Sequence, residues 1–126
     1  MTGLELLEKY DKAAIVIKQF YLNAMLESLK DEELPENFKE YARQTTIDND
    51  KIGKLIDVQP RGLFDVFDNN KVYIEMLVDY KKLDATFAYT VIDDDTMYSN
   101  PFHYNNRKEA EKKAVEQAFE ILNNKL

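Results

Sequence analysis

The chain has 126 residues, 17 basic and 24 acidic, for a net charge of −7, and it contains no cysteine. The length suits one domain able to bury a core without metal or disulfide support. The missing thiols exclude disulfides, thiolate zinc sites, iron–sulfur clusters and cysteine nucleophiles, and the net charge repels phosphate backbones unless a local basic face exists. No apolar run approaches the roughly 18 residues of a membrane span. The opening "MTGLELLEKYDK" is acidic and unlike a secretory signal, so a cytoplasmic location is expected.

Thr2 and Glu5 form a capping-box pattern, and Leu4, Leu7 and Tyr10 follow at helical spacing. Asp11 suits the cap of a second helix in which Ala13, Ala14, Ile17, Phe20, Tyr21, Ala24, Met25 and Ser28 keep the period to about Lys30. One long helix over 2–30 is the alternative. Pro35 suits the start of a third helix to about Gln44, burying Phe38, Tyr41 and Ala42. Asp48 reads as the cap of a fourth, carrying Ile52, Leu55 and Ile56. Pro60 either stops it or starts the next. Residues 60–67 fit a short helix better than a strand, because Leu63, Phe64 and Phe67 recur at helical spacing.

After "DNN" the period changes to two. Val72, Ile74, Met76, Val78 and Tyr80 share one face of a strand, and Ala85, Phe87, Tyr89 and Val91 share one face of the next. "YKKLD" joins them as an antiparallel hairpin. "IDDDT" is a turn, and "MYSNPFHY" suits a third strand held at the edge by Pro101. Asn105 or Asn106 caps a final helix. Its apolar half comprises Ala110, Ala114, Val115, Ala118, Phe119, Ile121 and Leu122, with the small alanines allowing close approach to the sheet. A helical N-terminal half (1–68), then a two- to three-stranded antiparallel meander covered by a C-terminal helix (71–126), makes one α+β domain.

The strands "KVYIEMLVDY", "DATFAYTVID" and "TMYSNPFHY", followed by a basic-started, alanine-rich helix, resemble the second half of a double-stranded-RNA-binding domain. In that family the helix start carries a basic cluster that straddles phosphates. The resemblance implies phosphate-binding roles for Arg107 and Lys108, with Lys112 nearby, whereas Glu111 stands where a further base is expected. "DKIGKLIDVQPRGLFDVFDNN" resembles a helix-turn-helix, with Ile52, Gly53, Leu55 and Val58 at its packing positions, Gln59 to Gly62 as the turn and Leu63 to Phe67 as the second helix. That second helix offers Arg61 beside the acids Asp65 and Asp68, a poor set for reading bases.

His103 is the single histidine, and an enzyme would need a pocket joining it to carboxylates. Asp93, Asp94 and Asp95, like Asp65, Asp68 and Asn69, lack the spacing of a calcium loop and read as turns. No catalytic residue, metal site or cofactor is expected. Eight tyrosines and seven phenylalanines exceed what so small a core requires. Tyr73 and Leu77 fall opposite the main stripe of their strand, so either helices cover both sheet faces or an aromatic patch awaits a partner or a second copy; burial is expected for most of the tyrosines.

The short, acidic, cysteine-free chain resembles small accessory proteins of phages, prophages and mobile elements. The expected function is therefore non-enzymatic binding of a partner protein with a basic surface, engaged by the acids of "KDEELPENFKE" and of "IDDDT" with Asp93, Asp94 and Asp95. A homodimer is compatible. The alternative is a small nucleic-acid-binding regulator that uses residues 50–68, the start of the last helix, or both.

Overall fold

The computed structural model describes residues 1–29, 35–37, 40, 48–81, 84–94, 96–100 and 103–126. Among them are five α-helices and a three-stranded antiparallel sheet, an α+β fold. No helix among the described residues is long and apolar enough to cross a membrane.

Helix α1 (Gly3–Lys9) starts at the Thr2–Glu5 capping box and stops at Tyr10, whose backbone leaves helical geometry. A separate helix α2 (Asp11–Leu29) follows, so residues 2–29 form two helices. Its cap is more than local. The Asp11 side chain accepts from Lys12 N–H at 2.9 Å, and the Asn123 carboxamide oxygen accepts from Lys12 and Ala13 at 3.0 and 3.1 Å. A residue 110 positions away thus satisfies donors that a helix start leaves open.

The helix expected over 35–44 lies largely outside the described residues, with Phe38, Tyr41 and Ala42; Glu36, Asn37 and Glu40 are helical. Helix α3 (Asn49–Val58) begins at Asp48, whose side chain accepts from Asp50 N–H. It buries Ile52, Gly53 and Ile56, but Leu55 and Val58 are exposed. Leu55 is not a core residue because α3 rests on α1 along the line through Gly53, which turns Leu55 outward. Pro60 starts a 3-10 turn (Pro60–Leu63) that runs into α4 (Phe64–Asn69), so residues 60–67 are helical.

Strands β1 (Val72–Lys81) and β2 (Asp84–Asp93) pair in antiparallel register from Val72 with Asp93 to Lys81 with Asp84. Strand β3 (Thr96–Ser99) pairs with β2, and Tyr104 adds an isolated bridge to Phe87. Pro101 and Asp95 lie outside the described residues. Helix α5 (Arg107–Lys125) is capped by Asn106, and the whole expected apolar face is buried. It lies across β1 and β2 with α2 on its other side. Phe119 sits at the centre, edge-on to Phe67 at 5.7 Å and tilted against Tyr10 at 6.3 Å. Leu6, Ile17, Ile56, Leu63, Val72, Val91 and Leu122 complete the core. Burying each such side chain stabilises the fold by about 1.5–3 kcal/mol.

Candidate functional site

Two surfaces gather the residues singled out by sequence. The first is a cleft of about 710 Å³ between the 3-10 turn and the start of α5, lined by Gln59, Arg61, Gly62, Arg107, Lys108 and Glu111 among others. The fold brings Arg61, from the helix-turn-helix-like segment, to the basic start of the last helix. The sequence gives no sign of that meeting, because 45 or more residues and the whole sheet intervene.

Each cation there has a neighbour that limits what it can offer. The guanidinium of Arg107 lies 5.2 Å from the Phe87 ring centroid, a cation–π contact. Arg61 Nε stands 3.5 Å from Glu111 Oε1, and the Glu111 carboxylate is buried. Lys112 points away into an adjacent cleft and donates to Asp57 Oδ1 at 2.5 Å. Lys108 lines both clefts. The three candidate phosphate ligands therefore do not converge: Arg107 and Lys108 share one cleft with Arg61, while Lys112 serves a carboxylate. The recognition-helix positions Leu63, Val66 and Phe67 face the core, while Asp65 and Asp68 are exposed. Partial desolvation, with the charge of Asp65, raises the pKa of Asp68.

The Asp57 carboxylate ties three helices, since its Oδ1 also accepts from Gly3 N–H at 2.8 Å. Its burial opposes ionisation, but the hydrogen bonds from Lys112 and Gly3 outweigh it and hold the pKa below the ordinary carboxylate value. A depressed acid stabilises the fold above the unfolded pKa, near 4, and loses that contribution as pH falls through the folded value. Asp57→Asn is therefore expected to be less stable than the parent at pH 7. In urea titrations across pH that difference should shrink steadily below about pH 4.

The second surface is the sheet. Directly paired residues point to one face, so Tyr73 with Ile92 and Met97, and Leu77 with Ala88, stand opposite α5. Tyr73, Leu77 and Met97 are 46%, 44% and 64% exposed. Glu75 and Asp79 are exposed on the same face of β1. Thr90 and Ser99 join hydroxyls across it at 3.1 Å, and exposed His103 sets Nδ1 3.4 Å from Thr86 Oγ1 at its margin.

The hairpin also outruns its cover. Val78 and Tyr80 occupy the helix-facing side yet are 43% and 75% exposed, so the described residues of the far half of β1 are exposed on both faces. Among the described tyrosines Tyr73, Tyr80 and Tyr98 are exposed, Tyr10, Tyr21 and Tyr104 are half-buried and Tyr89 is buried, so the expected burial of most tyrosines is not met: α5 covers the end of the hairpin nearest Val72 and Val91, not the tip, and Tyr73 stands on the opposite face.

Of the acids expected in an interaction surface, Asp93 lies on the helix-facing side and binds Lys125 Nζ at 2.6 Å, which raises the lysine pKa. It is thus engaged within the fold. Asp94 is exposed in the turn with φ of 52°, and Asp95 lies outside the described residues. The acids that accompany Tyr73 and Leu77 are instead Glu75 and Asp79. Strand alternation carried that signal, since four residues two apart, Tyr73, Glu75, Leu77 and Asp79, mix apolar and acidic groups on one face. Among the described residues, no group of three or more His, Asp or Glu side chains is placed to hold a metal ion. Comparison with family models, with curated proteins and with solved structures found no significant match.

Proposed function

We propose that this chain is a non-enzymatic accessory protein of the cytoplasm that works by binding another protein on the uncovered face of its sheet. The observation that carries this reading is the row of exposed Tyr73 and Met97 with half-buried Ile92 between them, and Leu77 beyond the polar row Glu75, Thr90 and Ser99; among the described residues no helix covers this face, while α5 closes the opposite one. Exposed apolar strips rimmed by polar groups mark interaction sites more often than isolated apolar side chains do. Glu75 and Asp79 on its rim favour a partner with a basic surface. The small, acidic style shared with phage and mobile-element accessory proteins is compatible with such a role.

The second reading, a nucleic-acid-binding regulator, draws support from the meeting of Arg61, Arg107 and Lys108 in one cleft. It is the weaker one. Affinity for nucleic acid grows with the number of phosphates neutralised, and here Glu111 lies among the cations and Lys112 is held by Asp57.

Two variants separate the readings when used as bait against host extract beside the parent chain. A protein retained by the parent and by Arg107→Glu/Lys108→Glu, but lost by Tyr73→Ser/Leu77→Ser/Met97→Ser, is the expected result. Both variants should keep the parent's circular dichroism, because all five side chains are exposed. Retention that depends only on Arg107 and Lys108, or that persists in the triple variant, refutes docking on the sheet.

A further inference from the structure

We propose that the free edge of β1 receives an extended, cationic segment of the partner as a fourth strand. This rests on the protein-docking reading and goes further, because it names the part of the partner and the bonds that hold it. Among the described residues the strand order is β1-β2-β3, and β1 is hydrogen-bonded to a neighbouring strand on one side only. A ten-residue strand spans about 33 Å, and alternate residues present N–H and C=O groups outward along it. Natural sheets blunt such edges with short strands, bulges, prolines or lysines. The register of β1 runs unbroken from Val72 to Lys81, and its exposed residues up to Tyr80 are Tyr73, Glu75, Leu77, Val78, Asp79 and Tyr80. The other edge is shorter: β3 has four residues.

The side chains around that edge specify what fits it. On the uncovered face Tyr73, Glu75, Leu77 and Asp79 alternate apolar and acidic groups, so an added strand finds an apolar or an acidic neighbour at successive same-face positions. Lysine or arginine fits opposite Glu75 and Asp79, and an aliphatic residue fits opposite Leu77. On the other face, exposed Val78 and Tyr80 offer apolar contact beyond the reach of α5. A second copy of the chain fits badly. Antiparallel self-pairing centred on Leu77 would set Glu75 against the other copy's Asp79 twice over, and each copy carries a net charge of −7. Like charges directly opposite destabilise a strand pair. Strand addition of this kind draws affinity from main-chain hydrogen bonds and selectivity from the alternate side chains.

The test uses the whole protein and end-blocked eight-residue peptides. One places valine and lysine in turn along one face, with threonine at the positions between, one replaces those lysines by glutamate, and a third repeats the valine–lysine peptide with alternate backbone nitrogens methylated along one edge, or along the other. The expected result is binding of the valine–lysine peptide with slowed hydrogen exchange at alternate amides of β1. Its affinity should fall at least tenfold in Glu75→Lys/Asp79→Lys, one of the two methylated forms should lose binding, and the glutamate peptide should not bind. Equal binding of both methylated forms would overturn strand addition while leaving docking on the sheet face intact. Equal binding of the glutamate peptide, protection at the start of α5 instead of β1, or no binding of any peptide would also overturn it. So would a dimer in sedimentation whose β1 amides are already protected without peptide.

Discussion

Gly3→Ala is expected to destabilise the protein by about 1–3 kcal/mol, the range for forcing extra atoms into a packed contact. A Cβ on Gly3 would collide with the backbone oxygen of Gly53 and stand 2.9 Å from its Cα. Both obstacles are main chain, so no side-chain rotation relieves them, and α1 must move off α3. That movement would also lengthen the Gly3 N–H bond to Asp57, which joins these helices to α5 through Lys112. The reverse change meets the same barrier, since a Cβ on Gly53 would fall 2.7 Å from the Leu4 nitrogen. Because the two share one contact, the loss in the double variant should be less than the sum of the single losses. Gly62 is the internal control: a Cβ there meets nothing within 4 Å, so Gly62→Ala should match the parent or exceed it slightly. Urea midpoints at pH 7 measure all four. An unchanged midpoint for Gly3→Ala would contradict the backbone contact between α1 and α3.

Phe119→Ala carries the larger expected loss, about 3–5 kcal/mol. The ring is fully buried and contacts two other elements, Phe67 of α4 and Tyr10 at the junction of α1 and α2. Removing it leaves a cavity walled by several elements at once, so no single side chain can collapse into the space. Domains of this size have a total stability of roughly 5–15 kcal/mol, and a loss of this order brings partial unfolding within reach. Thermal unfolding followed by circular dichroism should show a midpoint lowered by well over 10 °C, given roughly 4 °C or more per kcal/mol for chains of this length. A shift of a degree or two would mean that Phe119 is not the hub of the core.

Local chemistry was legible in the sequence, and contacts between distant segments were not. The Thr2–Glu5 capping box, the Asp48 cap, the period-two strands and the apolar face of α5 all depend on neighbours within a few residues, and each stands where its pattern implies. Asn123 capping α2 depends on a fold that brings the two ends of the chain together, and no local pattern in "ILNNKL" encodes it. The same holds for Lys112, whose spacing allowed a phosphate contact and whose tertiary partner is Asp57. Leu55 and Val58 are the instructive failure. Their helical spacing matches a packing stripe, but the Gly3–Gly53 contact sets the roll of α3 and leaves both exposed. For the sheet, alternation identified Tyr73 and Leu77 as sharing a face; their exposure, with α5 on the opposite face, shows only in the fold. Met97 joins them through the β2–β3 register, which the sequence left loose.

On the proposed reading the exposed face of the sheet, and not the basic start of α5, meets the partner. Amide hydrogen exchange of the parent chain, free and bound to the protein it captures, tests this most directly. In the bound form exchange should slow across β1 from Val72 to Tyr80 and in β3, with Arg107 to Lys113 unchanged. Protection confined to Arg107–Lys113 and the turn at Gln59–Gly62, with β1 exchanging as in the free protein, would contradict it.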